Sequence, residues 1–279
     1  GQLYYVNGNF DDAMRRFLAA SAVNPEDTNV KWLITYVEKQ MGITEQALLD
    51  RIKENKSDAD AHIKLGTIYQ NQGLLDKAII EFKKAIEINP NSMLAHSNLA
   101  YIYESQGRFA EAIEEMKEVA RIKPDLPQVY VSLGLLYDRQ SMYDDAISEF
   151  KKALKLEPNS TLALVNLGIV YRKKGMIDEA INYFNKVITT QSDPAIIHGV
   201  LGDLYREKGD LVKAEAELKK AMQLDPRISS EPNFIITLAL VYYDKGMYKE
   251  AEEQVKKAIN IDPTNQGYLD LLNEIQKKR

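Results

Sequence analysis

The chain has 279 residues, a formal net charge of -5 at pH 7 and a calculated isoelectric point near 5.5. An acidic chain without a basic stripe argues against general nucleic-acid binding, and the absence of cysteine excludes disulfides, thiolate chemistry and cysteine metal sites. No uncharged run reaches the roughly 17 residues that a membrane-spanning helix needs, so we expect no direct membrane insertion.

The first 58 residues carry a weakened form of a two-helix unit that is complete further along the chain. Residues 1–27 match only the second half of that unit, through its small, bulky and proline positions: Gly8, Ala13, Phe17, Ala20 and Pro25. Gly1 would then stand at the eighth position, inside a helix, so we expect the chain to be a fragment of a longer protein. Residues 28–58 are predicted to be a degenerate unit that keeps Ile34, Gly42 and Ala47 but lacks the tyrosine of the others.

A 34-residue period begins at residue 59. Tyrosine recurs at its eleventh position: Tyr69, Tyr103, Tyr137, Tyr171, Tyr205 and, after a three-residue insertion, Tyr242. Leucine stands four residues before each tyrosine, a glycine or alanine follows that leucine, and alanine stands nine residues after the tyrosine. The period predicts five full units in residues 59–228 and a sixth in residues 232–265.

Each unit is predicted to form two helices. In residues 59–92 the first helix spans about residues 60–71, where apolar side chains recur near helical spacing. Gly73 then supplies the turn, since glycine readily adopts the left-handed backbone found at helix ends. The second helix spans about residues 75–88 and stops before Pro90.

Residues 266–279 are predicted to form one more helix. Its apolar side chains would face the last unit: Tyr268, Leu271, Leu272 and Ile275. Its polar residues would face water, so this helix would be the solvating cap that an open-ended array requires.

These units resemble the tetratricopeptide repeat, whose signature of leucine, glycine, tyrosine, alanine, phenylalanine, alanine and proline occurs at the same offsets. The resemblance implies an all-α fold, a right-handed superhelical solenoid of helix-turn-helix repeats with a C-terminal capping helix. Because each repeat in such an array contacts only its neighbours, we expect residues 1–279 to form one continuous solenoid domain.

Three histidines occupy the fourth position of their repeats: His62, His96 and His198. Equivalent residues of successive repeats are separated by about one helix diameter, roughly 10 Å, whereas zinc–nitrogen bonds are about 2 Å long. We therefore interpret the histidines as half-buried packing residues and expect no metal site. No nucleophile elbow or phosphate-binding glycine loop is present, so we expect no catalytic residues and no cofactor, and predict that this chain is not an enzyme.

The resemblance implies that the first helix of each repeat lines a concave groove, at positions 2, 5, 6, 9, 12 and 13. The predicted apolar groove residues stand at positions 5 and 9: Trp32, Tyr36, Ile63, Tyr101, Val131, Leu135, Val165 and Ile169. The predicted groove edge carries cations at positions 12 and 13: Arg139, Arg172, Lys173 and Arg206. Arginine can hold a carboxylate through two parallel hydrogen bonds, although nearby carboxylates are expected to pair with part of this charge.

We therefore expect a non-catalytic scaffold whose groove binds a peptide or helical segment of a partner protein, with apolar anchors and a carboxylate. One alternative is that this array recruits substrates for a transferase or protease domain outside this chain. Another is self-assembly through stacked repeat ends, for which a weak contact at the N-terminal edge is the expected route. The sequence leaves the compartment open between cytoplasm and periplasm.

Overall fold

All regular secondary structure in the described part of the chain is helical, in agreement with the predicted all-α fold. The computed structural model describes residues 27–30, 32–33, 36, 44–190 and 194–279. The predicted partial repeat at residues 1–27 lies outside these residues except for Asp27, and so does the predicted self-association at the N-terminal edge. Residues 1–124 and 125–279 form two units, called unit 1 and unit 2 below. The single continuous solenoid stays a prediction.

Unit 1 contains five helices whose ends are described. They are α1 (Glu45–Glu54), α2 (Ala59–Asn71), α3 (Leu75–Ile88), α4 (Met93–Ser105) and α5 (Phe109–Ile122). Helices α2 and α3 pair as one hairpin, and α4 and α5 pair as the next. The bounds of α2 and α3 agree with the predicted helices at residues 60–71 and 75–88.

Unit 2 repeats the same hairpin three times before the insertion. These six helices are α6 (Pro127–Arg139), α7 (Tyr143–Leu156), α8 (Thr161–Lys173), α9 (Ile177–Thr190), α10 (Ala195–Glu207) and α11 (Leu211–Leu224). A 3-10 helix, Pro226–Ser230, leads to the last hairpin, α12 (Pro232–Asp244) and α13 (Tyr248–Ile261), and then to α14 (Gln266–Lys278). The even-numbered helices from α2 onward are the first helices of their repeats, and α14 takes the same place at the C-terminal end.

The turn within each hairpin needs a left-handed backbone. Gly73 has a φ of 75°, and the backbone amide of Leu74 closes the turn onto the carbonyl of Tyr69 at 2.8 Å. Ser141 occupies the equivalent place between α6 and α7 with a φ of 58°, and it is the one non-glycine residue with positive φ in the described ranges. Because a side chain is disfavoured in this conformation, the α6–α7 turn carries backbone strain that the glycine turns avoid.

Replacing Ser141 with glycine is therefore expected to stabilise unit 2 by about 0.5–1 kcal/mol, since relief of the left-handed strain outweighs the greater entropy of an unfolded glycine. Chemical denaturation followed by circular dichroism measures the change. The matched reverse variant, Gly175→Ser in the α8–α9 turn, is expected to destabilise the protein. Equal stability of both variants and the parent chain would contradict the strain.

The hairpins close through a small residue on the first helix and a bulky one on the second. A Cβ built on Gly66 would lie 2.8 Å from the Phe82 ring, and one on Gly134 would lie 2.5 Å from the Phe150 ring. Phe82 and Phe150 are fully buried. The glycines are thus required by ring packing inside the hairpin and not by backbone conformation.

The insertion at residues 229–231 changes how neighbouring repeats meet. Ile228 of the 3-10 helix is buried, and the Phe234 ring at the start of α12 lies against Gly199 of α10. A Cβ on Gly199 would lie 1.8 Å from Phe234 Cε1, so no larger residue fits there without a shift of the ring. Phe234 therefore occupies the space that a position-5 side chain takes in the other repeats.

Helix α14 caps the last hairpin, as predicted. Ile275 is fully buried, and the other three predicted apolar residues pack partly buried against the same cluster. The buried Glu252 carboxylate of α13 binds Lys256 at 2.8 Å and Arg279 at 2.7 Å. The hydrogen bond from Lys256, followed by those from Gln276 and Arg279, lowers the pKa of Glu252 to about 2. None of the described helices is both long enough and apolar enough to cross a bilayer.

Candidate interaction surface

The three histidines lie inside hairpins and take no part in an open site. Each is nearly fully buried, and its Nδ1 lies within hydrogen-bonding distance of a glutamate 19 residues later: His62–Glu81 at 2.6 Å, His96–Glu115 at 2.6 Å and His198–Glu217 at 2.5 Å. Each pair joins the first helix of a repeat to the second. The prediction of half-buried packing missed this pairing, although histidine at position 4 with glutamate at position 23 was a visible signal.

These pairs also bear on metal binding. Each histidine has one carboxylate beside it, and no group of three metal-ligating side chains occurs in the residues that the structure describes. Each His–Glu pair joins the two helices of its own hairpin.

Unit 2 carries an exposed aliphatic surface on its first helices, which we call the first-helix patch. It consists of Leu135 on α6, Leu162 and Ile169 on α8, and Ile196 on α10. Their side chains are 36%, 57%, 38% and 63% exposed. Leu135 and Leu162 line one pocket, and an exposed apolar surface of this kind is a candidate interaction site.

Half of this patch lies at position 2 of the repeat, whose residues were not among the predicted apolar groove residues. Leu162 and Ile196 stand at position 2, whereas the predicted apolar residues stood at positions 5 and 9. Position 2 precedes position 9 by seven residues, about two helical turns, so Leu162 and Ile169 lie on the same side of α8. Two turns of helical periodicity were the signal that could have identified them.

The predicted position-5 residues of unit 2 lie deeper. Val131 is 5% exposed, and Val165 is partly buried. Val131 nevertheless forms part of the floor of a pocket of about 350 Å³ between α6 and the start of α8. The pocket is lined by Pro127, Gln128, Val131, Ser132, Leu135, Glu157, Ser160 and Leu162. An aliphatic or aromatic side chain can enter between Leu135 and Leu162.

Three of the four predicted edge cations are held by carboxylates of neighbouring repeats. Lys173 Nζ lies 2.6 Å from Asp138 Oδ2, and Arg206 Nε lies 2.7 Å from Asp244 Oδ2. Arg172 binds both Asp203 and Glu207. The hydrogen bond that Arg172 donates to the Glu207 carboxylate is the largest cause of the raised pKa of Arg172.

Arg139 is the exception among these cations. Its side chain is exposed, one turn beyond Leu135 on α6, and it forms no ion pair with any residue in the described ranges. Arg139 is thus the predicted edge cation that can bind a carboxylate of a partner molecule without breaking an ion pair within this chain.

The predicted groove residues of unit 1 form a separate set. Trp32 and Tyr101 are exposed, while Tyr36 and Ile63 are partly buried. The Trp32 and Tyr36 ring centroids lie 5.3 Å apart. Leu94, at position 2 of α4, is also exposed and stands seven residues before Tyr101. Unit 1 therefore repeats the combination of exposed apolar residues at positions 2 and 9.

Models of the tetratricopeptide repeat match residues 59–92, 81–114, 139–204 and 205–275. Among curated proteins, the chain is similar to Superkiller protein 3 of Schizosaccharomyces pombe, with 32% identity over 98 residues, which is 32% of this chain and 7% of that protein. The activities and partners of that much longer protein are therefore not carried over by this match.

Two solved structures show the same fold. The Cut9–Hcn1 hetero-tetramer structure of the APC/C has a chain that is 21% identical, with a TM-score of 0.51. The match covers 98% of this chain and 54% of that one. Pseudomonas aeruginosa pilF is 21% identical with a TM-score of 0.57, over 79% of this chain and 97% of pilF. Structural similarity at this level of sequence identity shows a shared fold and nothing about function.

Proposed function

Because this chain belongs to the tetratricopeptide repeat family, whose repeats form protein–protein interaction scaffolds, we propose that it binds a segment of a partner protein on the first-helix patch of unit 2. The exposed aliphatic set of Leu135, Leu162, Ile169 and Ile196 carries the proposal. The pocket between Leu135 and Leu162 offers a place for one anchoring side chain.

The energetics favour apolar anchors over the edge charges. Burying two aliphatic side chains contributes roughly 3–5 kcal/mol, whereas exposed ion pairs contribute about 0–1 kcal/mol and weaken with salt. A single segment with a few such anchors is expected to bind in the micromolar range, about -8 kcal/mol. The affinity therefore depends mainly on the patch, and Arg139 adds orientation.

Replacing Leu162 with aspartate is expected to weaken partner binding by at least about tenfold, because it removes an anchor contact and places a charge beside the pocket. Leu135→Asp is expected to act in the same direction. Partners captured on the immobilised wild-type chain are identified by mass spectrometry, and their affinities for each variant are then measured by isothermal titration calorimetry.

The matched control is Val212→Asp on α11. Val212 is 73% exposed and lies on a second helix, so the same chemical change falls outside the patch. The assignment of the first-helix patch as the binding surface would be wrong if a captured partner bound both patch variants as tightly as the wild type and lost affinity only for the Val212 variant. Circular dichroism of each variant separates lost binding from lost fold.

A further inference from the structure

Ion pairs recur at each junction between repeats of unit 2, outside the first-helix patch. The lysine that directly follows a first helix binds a carboxylate 30 residues earlier in the chain, on the second helix of the preceding repeat. We call these contacts the turn pairs: Lys174–Asp144, Lys208–Asp178 and Lys245–Glu215. Each of the three junctions in residues 127–265 therefore carries one turn pair.

The same junctions carry further ion pairs between neighbouring first helices. We call these the edge pairs: Lys173–Asp138, Arg172–Asp203, Arg172–Glu207 and Arg206–Asp244. Successive residues of a helix point about 100° apart around its axis, so Lys173 and Lys174 reach different helices of the preceding repeat, α6 and α7. Two contacts in different directions restrict both bending and rotation at the junction, whereas a single contact would leave a pivot.

We infer that the turn pairs and edge pairs together couple the repeats of unit 2, so that residues 127–265 open as one cooperative block at low ionic strength and as separate repeats at high ionic strength. In a repeat array, the interfaces between neighbours decide whether the repeats unfold together. A single exposed ion pair contributes little and is screened by salt, but these pairs occur at every junction of the unit. This salt-dependent coupling is independent of the proposed partner surface.

The insertion at residues 229–231 shows that the turn pairs follow geometry and not repeat position alone. Asp144 and Asp178 both stand at position 18, in the first turn of their helix. In residues 195–228, position 18 is Val212, and Glu215, one helical turn later, binds the lysine instead. The separation of 30 residues is thus retained although three residues are inserted. Hydrogen bonds from Lys219 and then from the lysine of the turn pair lower the pKa of Glu215.

The chain itself supplies the substitution that removes a turn pair. The turn-pair lysines stand at position 14 of their repeats, where the three repeats in residues 59–160 have glutamine: Gln72, Gln106 and Gln140. Glutamine and lysine have nearly equal helix propensities, so Lys→Gln at this position removes the charge and leaves the helix end otherwise unchanged.

The test is hydrogen exchange of the full chain, read by mass spectrometry at about 0.1 M and about 1 M sodium chloride, between which the Debye length falls from about 10 Å to about 3 Å. In the wild type, amides of α8 to α12 should exchange as one group at low salt and at least about threefold faster at high salt. The triple variant Lys174→Gln, Lys208→Gln, Lys245→Gln should exchange at least about threefold faster than the wild type at low salt and respond less to added salt.

The matched control is Lys220→Gln on α11. Lys220 is exposed and forms no ion pair within the described ranges, so this variant loses the same charge without losing a turn pair. It should keep the exchange rates and the salt response of the wild type. A triple variant that also keeps both would show that the turn pairs do not couple the repeats.

A double-mutant cycle tests one turn pair directly. Lys208→Gln and Asp178→Asn each remove the same contact, so the double variant should exchange little faster than the more strongly affected single variant. Strictly additive effects of the two changes on the exchange of α9 and α10 would overturn the inference for that junction. Binding to the first-helix patch is measured separately with the Leu162 variant, so failure of the coupling leaves the proposed function standing.

Discussion

Replacing Phe150 with alanine is expected to destabilise unit 2 by about 3–5 kcal/mol. The ring is fully buried between the two helices of its hairpin, and it sits directly over Gly134, which has no side chain to fill the space left behind. The loss therefore combines the transfer free energy of the ring with the cost of a cavity. Denaturant unfolding followed by circular dichroism measures the change, and hydrogen exchange locates it in α6 and α7.

The chain contains its own control for this prediction. Gly134→Ala is expected to destabilise unit 2 because the new Cβ would lie 2.5 Å from the ring, even though alanine is the better helix former. In residues 93–126 the equivalent residues are Ala100 and Met116. Combining Gly134→Ala with Phe150→Met reproduces that pair and should recover part of the loss, since methionine adapts to irregular space.

Two outcomes would contradict this account of the hairpin core. One is a loss below about 1 kcal/mol for Phe150→Ala, which is the size expected of an ordinary substitution. The other is strict additivity of Gly134→Ala and Phe150→Met, because residues in contact should couple. Val212→Ala, at an exposed site of the same unit, should change stability by no more than about 0.5 kcal/mol.

Replacing His62 with alanine is expected to destabilise unit 1 by about 3 kcal/mol. The imidazole is 4% exposed, and its Nδ1 lies 2.6 Å from Glu81 Oε2. Removing the imidazole opens a cavity and leaves the buried Glu81 Oε2 without its hydrogen-bond partner. The loss is limited because Lys84 still binds the other oxygen of Glu81 at 2.9 Å. Hydrogen exchange of α2 and α3, together with denaturant unfolding, reports the change.

The matched control again comes from another repeat of the same chain. Residues 161–194 place Leu164 and Tyr183 at the two positions that His62 and Glu81 occupy in residues 59–92. The double variant His62→Leu with Glu81→Tyr should be more stable than either single change, because replacing both members of a buried polar pair removes the unsatisfied group. A double variant less stable than both singles would show that the pair does not act as a unit.

Glu149 shows what the absence of a histidine does at this position. Tyr130 stands where three other repeats have histidine, and Glu149 Oε2 is buried without a hydrogen-bond partner among the described residues. The other oxygen of Glu149 binds Lys152 at 2.7 Å. The repeat at residues 127–160 therefore combines an unsatisfied carboxylate oxygen with the strained turn at Ser141, and we expect it to be the least stable full repeat of unit 2.

Helix positions could be predicted closely because their determinants are local. Helical spacing, turn glycines and closing prolines recur within every 34 residues, and they set the ends of α2 and α3 to within one residue. The patch was only half predicted. The predicted apolar residues stood at positions 5 and 9, but Leu162 at position 2 is exposed and Val131 at position 5 is buried. Burial at one position depends on how closely neighbouring helices approach, which the period alone does not specify.

The sequence by itself determined the repeat family, the order of the hairpins and the capping helix, because each of these is written in short-range patterns that many repeats share. Only the tertiary structure decided which side chains remain open to a partner. Arg172, Lys173 and Arg206 are occupied by carboxylates 31 to 38 residues away in sequence, in adjacent repeats. Arg139 is a cation at the same repeat position as Lys173 but has no such partner among the described residues. Ion pairing across repeats depends on three-dimensional distance, so it separates residues that occupy the same kind of position in the sequence.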